Sequence, residues 1–179
     1  MNRKNAQRRF VFACLAPAVV LVVLFIFVPT VNVFRMSLYR MGGITNKKEF
    51  VGLYNFKTLM GDKNFLQAMQ NSITIIVMVM VCTIVLAILF AALLSRGKFK
   101  GKNFFRVIFY IPNILSIVVI AGIFGAIYDP SNGLLNTFLE AVHLDFLKHQ
   151  WMGDPNIVLY SVIFALVWQA IGYYMVMYM

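Results

Sequence analysis

Charge is scarce in this chain: only 12% of its 179 residues are Asp, Glu, Lys or Arg, whereas 61% are hydrophobic. A soluble domain of this size cannot hide that much apolar surface, which excludes water as its main solvent. Acids are the scarcest of all, six against sixteen bases. The net charge of +10 does not indicate nucleic-acid binding, because the bases sit in separate segments between long apolar runs and build no continuous stripe. A position flanking membrane spans fits them better.

Cysteine and histidine number two each. Cys14 and Cys82 both lie in apolar runs, where a small buried hydrophobe is the expected role, rather than a disulfide or metal partner. His143 and His149 stand six apart, off the i, i+4 spacing that metal ligands on one helix face need, and are read as solvated loop residues. The chain also lacks G-x-x-x-x-G-K-[ST]. Its nearest approach, Gly97, Lys98, Gly101 and Lys102, has no hydroxyl residue to follow, so any ATP that drives this protein is expected on another chain. No catalytic constellation, metal or cofactor site is legible.

Four long apolar runs are present: 10–33, 73–94, 107–128 and 157–179. Each is close to the roughly 20 residues that cross a bilayer as a helix. The first follows Arg3, Lys4, Arg8 and Arg9, and exceeds the roughly 7 to 15 apolar residues of a cleaved signal, so an uncleaved first span is expected, with Pro17 and Pro29 as bends or ends. None of the runs alternates as barrel strands do, so the fold expected is an all-α, polytopic membrane protein with four spans.

Orientation follows from the bases. Residues 1–9 hold four and residues 95–106 hold Arg96, Lys98, Lys100, Lys102 and Arg106, so both stretches are expected in the cytoplasm. Residues 129–156 carry Lys148 with Glu140, Asp145 and Asp154, as an external loop would. Segment 34–70 must then be external too, although Arg35, Arg40, Lys47, Lys48, Lys57 and Lys63 lie within it. Asn55 and Asp62 in this segment read as caps of short interfacial helices.

Within the spans, small and polar residues recur at helical spacing. Thr83, Ala87, Ala91 and Ser95 form one row and Gly122 with Ala126 another pair, both read as faces for close helix packing. Pro112, followed by Asn113 and then Ser116, marks a kink in the third span. In the fourth, Ala165, Trp168, Gln169 and Gly172 share a face with Tyr173 beside it, a mixture of rings and an amide that suits a sugar-like ligand as well as ordinary packing. Spans two to four carry no Asp, Glu, Lys, Arg or His. Ion-coupled carriers commonly need such groups in the membrane, so an external energy source is favoured over that alternative and over a non-transporting scaffold or sensor.

The stretch 104–136 reads FFRVIFYIPNILSIVVIAGIFGAIYDPSNGLLN. It resembles the permease subunits of binding-protein-dependent ABC importers, in particular the sugar and glycerol-phosphate group. Those have a basic loop, a span with an early proline (here Pro112), and an exit through D-P-x-x-G-x-x-N, here Asp129, Pro130, Gly133 and Asn136. L-A-P-A around Pro17, P-T-x-x-x-x-x-x-S from Pro29 to Ser37, V-G-L-Y-N-F from Val51, F-L-Q-A-M-Q-N-S from Phe65 and W-x-x-x-G at Trp168 and Gly172 extend it over nearly the whole chain. At Phe124 the family often has tryptophan; a ring is kept.

The resemblance implies the type I importer permease fold in a bacterial inner membrane, with four spans present. It also implies a second permease, ATP-binding cassette subunits and an external solute-binding protein as partners, with membrane lipid around it and a sugar-like solute passing through. Asn113, Ser116, Trp168, Gln169 and Tyr173 become the candidate path residues. The family's E-A-A loop and two further spans come after the span that reaches Met179, so the expectation is a truncated permease lacking the ATPase-docking element.

Overall fold

The computed structural model describes residues 3–41, 48–95 and 101–179, the side chains of Arg3, Asn5 and Ala6 excepted. The bases read at Lys47, Arg96, Lys98 and Lys100, and Gly97 of the sequence pattern, lie outside the described residues. The chain divides into two compact units, residues 1–67 and 68–179.

The first unit opens with α1 (Arg3–Val22), a π-helical turn (Val23–Phe27) and α2 (Val28–Ser37). Pro17 lies inside α1 without ending it. Pro29 enters α2 in its first turn, and the π-helical turn sits immediately before it. That is where a proline withholds the N–H that the carbonyl four residues back would accept, and the helix widens instead of stopping. Thr30 Oγ1 donates to the Ile26 carbonyl at 2.6 Å in the same stretch. The described side chains from Lys4 to Met36 are all exposed. Cys14 is among them, which corrects its expected burial within the chain.

After α2, β1 (Tyr39–Met41) pairs antiparallel with β2 (Lys48–Phe50), Tyr39 opposite Phe50 with their rings 5.3 Å apart. Helix α3 (Tyr54–Gly61) follows. Gly52 adopts φ +56 just before it, a left-handed turn that explains the glycine of V-G-L-Y-N-F. Asn55 does not cap α3, contrary to expectation. It lies inside the helix, and its Nδ2 donates to the carbonyls of Ser37, the last residue of α2, and Tyr39, the first of β1, at 2.8 and 3.1 Å. Asp62 does cap, its carboxylate accepting the N–H groups of Asn64 and Phe65 at 2.8 and 3.4 Å. Helix α4 (Lys63–Ser95) therefore starts at Lys63 rather than near Ile73 and runs unbroken for 33 residues.

In the second unit α4 is followed by α5 (Lys102–Ile114), α6 (Ile117–Ile127), α7 (Leu134–Ala141), a 3₁₀ turn (Asp145–Leu147) and α8 (Val158–Tyr178). The third apolar run is not one kinked helix. Helices α5 and α6 meet at 103°, and the break falls at Leu115 and Ser116, three residues beyond Pro112. Pro112 stays inside α5; Leu115 turns extended at ψ 143, and Ser116 restarts the helix by accepting the Val119 N–H on its hydroxyl at 3.4 Å.

Helix α8 organises the packing. Ile163, Val167 and Ile171 meet Ile75, Met78, Val79, Cys82 and Leu86 of α4. Lower down, Met175 is enclosed by Ala87, Ala91 and Leu94. The small-residue row of α4 thus packs as expected at Thr83, Ala87 and Ala91, with Leu94 buried in place of Ser95. Gly122 and Ala126 do not: both are exposed, and nothing lies near Gly122. Three helices, Gln7–Ser37, Lys63–Ser95 and Val158–Tyr178, are long and apolar enough to cross a membrane, and the broken α5–α6 pair makes a fourth span if taken together. Their apolar exteriors suit hydrocarbon, where a helix satisfies its own backbone.

Candidate functional site

The seam between α6 and α8 is built from rings. Trp168 of α8 stands edge-on to Phe124 of α6 at 5.4 Å, and Phe124 tilts against Tyr128 at 5.3 Å. Tyr128, at the end of α6, donates its hydroxyl hydrogen to the Ser161 carbonyl at 3.2 Å, satisfying its polar tip inside an apolar wall. A cavity of about 500 Å³ opens here, lined by Phe124, Tyr128, Trp151, Tyr160, Phe164 and Trp168.

The D-P-x-x-G-x-x-N turn closes the outer end of this seam. The Asp129 carboxylate accepts the backbone N–H groups of Asn132 and Ser131 at 2.8 and 2.9 Å, and these two bonds hold it below the usual carboxylate range. Gly133 donates its N–H to the Asp129 carbonyl at 3.0 Å, and a side chain there would strike the backbone of Ile127 and Asp129. One turn into α7, Asn136 accepts from Trp151 Nε1 at 2.8 Å and donates to the His149 carbonyl at 3.1 Å. Trp151 then stacks on Tyr128 at 6.1 Å. The motif therefore anchors the loop back onto α6. Replacing Asn136 with alanine leaves an indole N–H and a carbonyl unpaired; a loss of about 1–2 kcal/mol is expected, with red-shifted Trp151 emission in a Trp168→Phe background.

Outside the seam lies a polar cleft of about 600 Å³ lined by Asn136, Thr137, Glu140, Lys148, His149 and Asp154, among others. Lys148 bridges Asp145 at 2.7 Å and Glu140 at 2.9 Å, and both contacts, Asp145 first, raise its pKa above the ordinary lysine value. His143 and His149 are exposed loop residues, as their spacing suggested.

The five sequence-selected path residues are spread over these surfaces. Trp168 lines the aromatic cavity. Gln169 faces a separate groove of about 460 Å³ between α4 and α8, together with Thr83, Val79, Leu166 and Tyr174. Tyr173 is exposed, its ring edge-on to Tyr174 at 5.2 Å. Asn113 is half-buried near the end of α5, and Ser116 serves as the cap at the break.

Two features escaped sequence reasoning. Thr83 Oγ1 is buried without a partner among the described residues, a state that no spacing rule reveals. The close approach of α5 to α8 at Gly172, where an added methyl would overlap the Phe109 carbonyl, was signalled only by the W-x-x-x-G pattern.

No protein-family model matches the chain. Among curated proteins it is 35% identical to the probable ABC transporter permease protein YurN of Bacillus subtilis, over 97% of this chain and 60% of that protein. It is 28% identical to the diacetylchitobiose uptake system permease protein NgcF of Streptomyces coelicolor, over 94% of this chain and 50% of the relative. Its fold matches a chain in the crystal structure of a bacterial ABC transporter involved in importing the acidic polysaccharide alginate, with TM-score 0.80, 24% identity and coverage of 98% of this chain and 58% of the other. The chain spans about half to three fifths of the length of these relatives. With helices fit to span a membrane, their fold and sequence similarity along nearly its whole length, this chain is a multi-pass membrane protein homologous to the permease proteins of ABC transporters.

Proposed function

We propose that the chain forms part of the transmembrane path of an ATP-driven importer for a sugar or related solute, in a bacterial inner membrane. The observation that carries this reading is the match to ABC permease proteins over 97% of its length. Similarity to a diacetylchitobiose uptake permease and to a chain of an alginate importer supports a carbohydrate as solute. The complete assembly would add a second permease, an external solute-binding protein and separate ATP-binding subunits in which ATP is hydrolysed.

In this reading the N-terminus and segment 95–106 face the cytoplasm, and segments 34–70 and 129–156 face outward, as the density of bases supports. Spans 10–33, 73–94, 107–128 and 157–179 enclose or flank the path. Asn113, Ser116, Trp168, Gln169 and Tyr173 contact solute, and Pro112, Asp129, Pro130, Gly133, Asn136 and Gly172 hold the helices and turn that position them. Path contacts need only pass a sugar-like solute along, which rings, amides and hydroxyls do without a titratable group in the membrane.

Alanine replacements at the five path positions, made in the complete protein and reconstituted with its partner subunits, are expected to lower ATP-dependent uptake about tenfold where a hydrogen bond or ring contact is lost. Assembly, read by size-exclusion chromatography, should be unchanged. Normal uptake in all five would reject the set, and uptake abolished by an ionophore with ATP present would replace the ATP-driven reading with an ion-coupled one.

A further inference from the structure

At the start of α1, Lys4, Gln7 and Arg8 line a groove of about 310 Å³ with Val11 and Phe12 as its remaining walls. Their spacing, i, i+3, i+4, i+7 and i+8, puts all five on one helix face. The three donors occupy the outer end and the two apolar residues the inner, with Val11 about 10 Å further along the helix than Lys4 at the ordinary helical rise. Two fixed cations and a neutral amide are thus aimed at one place, immediately above an apolar wall.

Among the described residues no ion pair is made by Lys4 or Arg8. The first acid in the chain is Glu49, so forty-eight residues carry Arg3, Lys4, Arg8, Arg9, Arg35, Arg40, Lys47 and Lys48 with no carboxylate among them. The ion pairs found among the described residues are both made by Lys148, far along the chain. Lys4 and Arg8 are exposed. They begin a helix whose segment from Gln7 to Ser37 is fit to span a bilayer, which puts the groove where hydrocarbon meets the headgroups.

We propose that Lys4, Gln7 and Arg8 hold the phosphodiester of one anionic phospholipid, whose acyl chain lies along Val11 and Phe12. The guanidinium supplies a planar pair of N–H donors to the phosphate oxygens, Lys4 a mobile point charge, and Gln7 an amide donor between them. A soluble phosphate would use only the upper half of the groove; a lipid uses both halves, and it leaves neither cation unpaired at the membrane edge. This assignment does not depend on which side of the membrane the N-terminus occupies, nor on the transport reading.

The test is native mass spectrometry of the purified full chain in detergent, titrated with phosphatidylglycerol or with phosphatidylcholine of the same acyl composition. The unaltered chain is expected to retain one phosphatidylglycerol in clear preference to phosphatidylcholine. Lys4→Gln with Arg8→Gln should weaken that retention about thirtyfold, from two basic residues at the attraction typical of anionic lipid. The pair Lys48→Gln and Lys57→Gln removes the same charge elsewhere and should leave it unchanged. Far-ultraviolet circular dichroism confirms helicity of each variant; Lys4→Arg, which keeps the charge, should retain the lipid and so serves if the double variant misfolds. Equal retention of the two lipids, loss in both double variants alike, or displacement by millimolar inorganic phosphate would overturn the proposal, the last by showing a soluble-anion site.

Discussion

Replacing Gly172 with alanine is expected to drive α5 away from α8 and to cost about 3 kcal/mol, the upper part of the range for overpacking a close contact. The added methyl would overlap the Phe109 carbonyl and come within 2.9 Å of the Tyr110 nitrogen. Both obstacles are backbone in a helix, so no rotamer change relieves them; the helices must part. Phe109 packs against Phe90 of α4 at 4.9 Å and contributes to two apolar clusters, so its displacement spreads to α4 as well. Small residues at such crossings let helices of a membrane protein gain van der Waals contact that hydrocarbon alone does not drive. Gly122→Ala is the matched control, because nothing lies within 4 Å of a methyl there and alanine is the better helix former. Unfolding of the chain in mixed micelles, followed by circular dichroism, should show Gly172→Ala melting at clearly lower denaturant than the parent while Gly122→Ala melts at the same or a slightly higher denaturant, a gain of at most about 1 kcal/mol. Coincident curves for all three would mean that α5 and α8 do not meet at Gly172.

Much of this architecture was legible because length and apolarity are all that a span needs. The second and fourth runs became α4 and α8, and the Thr83, Ala87 and Ala91 row packed inward as its spacing required. What stayed hidden was decided by competition between local groups. The sequence placed a kink at Pro112, yet Pro112 stays inside α5 and the break falls at Leu115 and Ser116, where Leu115 turns extended and the Ser116 hydroxyl accepts the Val119 N–H at the start of α6. Asn55 had the right chemistry for a cap, but its amide donates to two carbonyls, Ser37 at the end of α2 and Tyr39 at the start of β1. Gly122 and Ala126 carry the same small-residue pattern as α4 and remain bare, since a pattern says that a helix can approach, not which helix does.

The candidate path was less legible than the helices for a related reason. Trp168 and Gln169 are adjacent on α8, and adjacent side chains point about 100° apart around a helix, so the first lines the α6 seam and the second the α4 groove; Tyr173, one turn beyond Gln169, is exposed. The outer turn, by contrast, could be read almost completely. Each lettered position of D-P-x-x-G-x-x-N has a local bond or a close approach that its residue type satisfies, apart from the proline, whose role is to set the backbone.

Gly133→Ala therefore carries the other large expected effect. Gly133 has φ −65, a conformation open to any residue, so its requirement is one of space and not of backbone freedom. A methyl would sit 2.7 Å from the Ile127 carbonyl and 2.8 Å from the Asp129 nitrogen, and would overlap the Asp129 carbonyl. To admit it the turn must open, losing the Gly133 N–H bond to Asp129 and moving the first turn of α7. Asn136 then leaves Trp151 and His149, and Trp151 leaves Tyr128. Because the whole turn goes, the effect should exceed that of Asn136→Ala, roughly 3 kcal/mol against 1–2. In a Trp168→Phe background, where Trp151 alone emits, Gly133→Ala should give the larger red shift and the greater quenching by iodide. Gly153→Ala should do neither, since its methyl meets the flexible end of Gln150 at 3.0 Å, which can swing aside. Unshifted emission from Gly133→Ala would show that the turn has room to spare and that Gly133 is not needed to hold Trp151 on Tyr128.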